Sequence, residues 1–160
     1  MALTAPRIAW PPQGTRCSCH CHSSYSQVYG WYDLGGSPSC LAFSRRLVLC
    51  REELLWMAGL FVPDEAVRTR RAGPEAGGAS PLYSSLHGMP PALFTVGTDD
   101  PLRDDTLMMA ARWCAHGLDY ELEVFPGAAH GVGHFGPHEH TTQGTEINAR
   151  VDDFLARWIQ

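Results

Sequence analysis

The chain has 160 residues, 44% of them apolar and 18% charged, which suits about one globular domain and excludes a disordered, highly charged polypeptide. A formal net charge of −5 argues against a nucleic-acid partner, and no apolar run approaches the roughly 18–20 residues that span a bilayer. The opening stretch MALTAPRIAWPPQG lacks an apolar core of signal-peptide length, so the chain is expected to be cytoplasmic, with Cys17, Cys19, Cys21, Cys40, Cys50 and Cys114 reduced.

Residues 1–25 read as an atypical, irregular head, with neither a period of 2 nor one of 3.6 and no acidic residue before Asp33. Residues 26–160 read as one partial domain. It opens with SQVYGWYD at 26–33, rich in aromatic and β-branched side chains, which predicts a strand ending at the turn LGGSPS. Arg51–Phe61 has acids in its first turn and Leu54, Met57, Ala58 and Phe61 at helical spacing, which predicts a helix with one buried face. Residues 63–80 are polar and rich in Gly and Pro, and read as a long loop.

The remainder is more regular. Ala92–Val96, ALFTV, is a short apolar run closed by Gly97 and suits a buried strand. Asp100-Pro101 looks like a helix cap followed by proline at the first helical position, and the helix runs on to Gly117. Tyr120–Phe125 alternates apolar and acidic side chains, as a strand does, and PGAAHGVGHFGPHEH follows as a Gly- and His-rich loop. Ile147, Val151, Phe154, Leu155 and Trp158 then mark an amphipathic helix.

Strands and helices in alternation indicate an α/β fold with a parallel sheet, whose ligands gather at the carboxyl ends of the strands. Asp100 follows one strand and His130 the next, so both fall at that edge. A buried carboxylate there can orient an imidazole and stabilise its protonated form. Spacing alone equally allows Asp100 to be a helix cap and His130 an ordinary loop histidine.

The words around these two residues carry more. SPLYSSLHGMPPALFTVGTDDPLRDDTLMMAARW, followed by ELEVFPGAAHG, resembles the C-terminal part of α/β-hydrolases of the hormone-sensitive-lipase and acetyl-esterase type. The matches are Ser80-Pro81-Leu82, Pro90-Pro91, Gly97, Asp100-Pro101-Leu102, Asp104, Pro126-Gly127 and His130-Gly131, and the resemblance covers roughly residues 27–160. It implies the C-terminal segment of an α/β-hydrolase fold, with three parallel strands, flanking helices and an incomplete sheet. It also implies hydrolysis of short-chain carboxylic esters by a Ser-His-Asp triad in the chain order Ser, acid, His. Asp100 would be the acid and His130 the general base. Asp104 would be a hydrogen-bonding residue at the helix start. No organic cofactor and no metal is implied.

The nucleophile is missing. No G-x-S-x-G elbow occurs in the chain, and the His-Gly-Gly stretch that supplies oxyanion-hole amides in this family is absent as well. The expectation is therefore a chain that is inactive alone: a truncated or frame-shifted hydrolase that would act on a small ester only when completed. The alternative is a non-catalytic remnant or interaction protein that associates with itself through an exposed sheet edge. Two metal candidates carry less weight. Cys17, Cys19, His20, Cys21 and His22 lack the usual C-x₂₋₄-C separation. His130, His134, His138 and His140 have helical spacing, but the intervening glycines and Pro137 forbid a helix.

Overall fold

The computed structural model describes residues 25–71, 79–132 and 141–158. The elements in chain order are β1 (Tyr25–Val28), α1 (Pro38–Ala42), α2 (Arg51–Phe61), α3 (Glu65–Arg68), β2 (Ala92–Asp99), α4 (Arg103–Ala115), β3 (Tyr120–Ala129) and α5 (Thr142–Trp158). A single 3₁₀ turn, Pro81–Tyr83, precedes β2. The three strands form one parallel sheet in the order β1-β2-β3. The expected α/β architecture is therefore present, with β1 and β3 as the two edges.

Ala92 to Gly97 in β2 are all buried, because this central strand is covered on both faces. On one face Ala92 and Phe94 pack with Met109, Ala110 and Trp113 of α4 and with Tyr32, Leu82 and Leu86. The Phe94 and Trp113 rings meet edge to face at 5.2 Å. Phe125 of β3 is in register with Gly97 and so projects from the other face. It packs there on Ile147 of α5, with Tyr29, Ala128 and Val132. The acidic alternation of β3 has a partner on that side: Arg157 of α5 grips Glu121 at 2.6 and 3.0 Å, and Arg150 approaches Glu123 at 3.8 Å.

Boundaries shift in physically legible ways. The strand predicted at 26–33 ends at Val28. Tyr29 has φ +59, which turns the chain out of the extended region. The backbone amides of Tyr32 and Asp33 then donate to Asp105 Oδ1, at 2.8 and 2.7 Å, and not to a neighbouring strand. Within the expected loop at 63–80, Asp64 starts the short helix α3 by accepting from the amides of Ala66 and Val67. Asp100 does not cap α4 directly: Leu102 is the cap residue, and Asp100 Oδ1 accepts the Leu102 amide at 2.8 Å in the turn before it. Helix α4 ends as expected, with Gly117 at φ +65 just past His116.

Cys40, Cys50 and Cys114 are free thiols, and burial pushes that of Cys40 up to about 12. Cys17, Cys19 and Cys21 lie outside the described residues, as does the head to which they belong. No helix among the described residues is long and apolar enough to cross a membrane.

Candidate active site

The site lies where β2 and β3 end side by side. Their ladder is regular to Gly97–Phe125 and then slips, so that Asp99 pairs with Ala129. A Cβ on Gly97 would lie 1.9 Å from the carbonyl oxygen of Ala128. Only glycine allows the strands to approach this closely. The slip brings the residues after each strand, Asp100 and His130, into contact.

His130 Nδ1 stands 3.0 Å from Asp100 Oδ2 and 3.2 Å from Oδ1. The Asp100 side chain is fully buried, and that of His130 is 14% exposed. Besides the imidazole, Asp100 receives the Leu102 amide. A buried carboxylate with these partners holds Nδ1–H as donor and fixes the tautomer. Nε2 is then the nitrogen left for proton transfer.

The surroundings brace both residues. Ser39 Oγ donates to the carbonyl of Pro101 at 2.8 Å and accepts from the amide of Asp104 at 2.9 Å, tying α1 to the turn after Asp100. Asp104 itself lies in the first turn of α4 and accepts from Arg103 Nε. The hydroxyl of Tyr29 donates to the carbonyl of Val132, and its ring lies 5.2 Å from the imidazole at a tilt of 55°. Burial, with the charge of Asp100 adding to it, pushes the Tyr29 hydroxyl above the ordinary tyrosine range, so it remains a donor. A left-handed backbone at a bulky residue costs about 1–3 kcal/mol and needs such contacts to persist.

Two further buried carboxylates shape the loop after β1. Asp33 Oδ2 accepts from Tyr83 Oη at 2.9 Å and pairs with Arg71, while its Oδ1 takes the amide of Gly35. Asp105 is fully buried. Burial raises its pKa above the usual carboxylate range, against the opposing pull of Ser37 and of the two amides it accepts. Sequence reasoning reached Asp100 and His130 but missed Tyr29, Asp33, Ser39 and Asp105. Tyr29 read as one more strand aromatic, and Asp105 fell within the predicted helix with no role of its own.

Among the described residues no serine hydroxyl bonds His130. Ser37 and Ser39 are buried, and their hydroxyls meet each other at 3.4 Å without bonding His130. Among the described residues no group of three His, Cys, Asp or Glu side chains is disposed to hold a metal. His134, His138 and His140 lie outside the described residues, as do the cysteines and histidines of the head.

A family model described as the α/β-hydrolase fold matches residues 18–134. The chain belongs to that family. Among solved structures, a double mutant of the esterase E40 aligns with a TM-score of 0.66 and 29% identity, over 86% of this chain and 44% of that one. A carboxyl esterase of the mycorrhizal fungus Tuber melanosporum aligns with a TM-score of 0.77 and 20% identity, over 86% and 45% of the two chains. EstE1, a thermophilic carboxylesterase cloned from a metagenomic library, aligns with a TM-score of 0.69 and 24% identity, over 86% and 46%. The last two show likeness of fold. This α/β-hydrolase chain therefore spans less than half the length of the esterases it resembles. No curated protein sequence matches it.

Proposed function

We propose that this chain is the acid- and base-bearing part of a carboxylic ester hydrolase, with Asp100 as the acid and His130 as the general base. The observation that carries the reading is the 3.0 Å contact between His130 Nδ1 and a fully buried Asp100 carboxylate. Through Nε2, His130 would take the proton of an attacking serine and return it to the leaving alcohol. Asp100 would hold the tautomer and stabilise the imidazolium. The serine elbow and the oxyanion donors would come from sequence that this chain does not contain, so the chain alone is inactive. Small carboxylic esters, of the short-chain kind, are the proposed substrates once it is completed; neither a nucleic acid nor a membrane is a proposed partner. The proposed unit is residues 26–160, extended by Tyr25, the first residue of β1.

The test is to translate the encoding DNA upstream of Met1 and through codon 30 in all three frames. A G-x-S-x-G elbow in a frame that joins this one by a single shift supports the reading. The rejoined protein should hydrolyse p-nitrophenyl esters, and Asp100→Asn should lower kcat about 10³–10⁴-fold. A rejoined, folded protein whose turnover ignores Asp100→Asn and His130→Ala overturns it.

A second reading has one observation in its favour. Trp56, Leu60 and Phe61 on α2 are 65%, 63% and 77% exposed, and β1 has one edge unpaired by any described strand. An exposed apolar helix face and an open sheet edge each suit self-association. In that reading the chain is a non-catalytic interaction protein.

A further inference from the structure

We infer that Tyr29 is a positioning residue for His130, steadying the turn that holds the imidazole against Asp100. The inference rests on the Asp100–His130 reading above and adds a third participant to it. Tyr29 is 9% exposed and sits immediately after β1, two strands away from the histidine loop. Its hydroxyl donates to the carbonyl of Val132, the residue two beyond His130. Its ring faces the imidazole at 5.2 Å. The Val132 amide in turn bonds the carbonyl of Ala129, at 3.4 Å, so the turn that carries His130 is closed between the end of β3 and the hydroxyl of Tyr29.

Two features argue that this arrangement does more than fill the core. A tyrosine held at φ +59 is a conformation that bulky residues avoid. A hydrophobic filler in the cluster with Phe125, Ala128 and Ile147 would not need a hydroxyl. What the strained backbone achieves is to aim the ring and its oxygen at the histidine loop. Asp100 fixes one edge of the imidazole, and Tyr29 limits rotation about the remaining side-chain bonds.

The experiment uses the 160-residue chain with ¹⁵N-labelled histidine and reads solvent exchange of the His130 Nδ1 proton by NMR. Tyr29→Phe keeps the ring and removes the hydroxyl, and exchange should accelerate about three- to tenfold, the scale of one lost hydrogen bond. Tyr29→Leu should accelerate it further. Ile147→Val loosens the same cluster without touching the hydroxyl and should leave exchange within about twofold of the parent. Unchanged exchange in Tyr29→Phe, or equal acceleration in Ile147→Val, overturns the inference. Asp100→Asn separates the two levels. If it abolishes protection while Tyr29→Phe does not alter it, only the role of Tyr29 falls. If protection survives Asp100→Asn, the Asp100–His130 reading itself falls.

Discussion

His130 Nδ1 and Asp100 Oδ2 meet at 3.0 Å across a separation of 30 residues, at the ends of two adjacent parallel strands. The contact sets the tautomer of the ring. Asparagine at position 100 presents either a carbonyl or an amide donor to Nδ1, and the preference for a proton on Nδ1 weakens. The ¹⁵N shifts of His130 in Asp100→Asn should therefore move toward the Nε2–H form. Identical shifts in the parent and the variant would show that the carboxylate does not govern the ring.

The close approach of β2 and β3 underlies that contact. In Gly97→Ala the new methyl meets the Ala128 carbonyl at 1.9 Å, a backbone atom that no rotamer change relieves. Overpacking of this kind costs about 1–3 kcal/mol, and occasionally more. Urea unfolding should show that loss, and the His130 ring signals should broaden or move with it. Wild-type stability in the variant would contradict the strand geometry.

Asp105 gives a pH dependence with a definite sign. Burial raises its folded pKa above the unfolded aspartate value of about 3.9. The folded state then binds the proton more tightly, so the contribution of Asp105 to stability is fully present below the unfolded pKa and is lost as pH rises through the folded one. Asp105→Asn retains a carbonyl for the amides of Tyr32 and Asp33 and removes the titration. Urea midpoints should show the variant gaining on the parent as pH rises from about 4 toward neutrality. A difference that is flat with pH, or that has the opposite slope, would contradict this account.

The exposed face of α2 predicts behaviour in solution. Light scattering across a concentration series should show the parent mass rising, and the double variant Trp56→Ser, Phe61→Ser remaining near the monomer. The far-ultraviolet spectrum should be unchanged, since neither side chain is buried. Equal association in the two proteins would place the contact elsewhere.

Much of this arrangement is legible in the residues themselves. The apolar run Ala92–Val96 and the periodic helix ending in Trp158 both correspond to elements of the fold, because each rests on local patterning that the tertiary structure does not oppose. The first strand is shorter than its composition predicts. Tyr29, Trp31 and Tyr32 have strand propensity, but the Asp105 carboxylate, 73 residues from Tyr32, supplies the hydrogen bonds that a neighbouring strand would have given. A long-range competitor of that kind leaves no trace in a local window. The same reason hides Tyr29 beside His130, a pair brought together by topology over 101 residues of chain.

The most direct test of the central claim is labelling of the isolated chain with a fluorophosphonate, followed by mass spectrometry of its peptides. Such probes phosphonylate a serine, with loss of fluoride, when a neighbouring base has activated it. No labelled serine and no hydrolysis of p-nitrophenyl esters are expected, because among the described residues no nucleophile stands against the Asp100–His130 pair. Labelling of any serine between residues 1 and 160 that disappears in His130→Ala would contradict it.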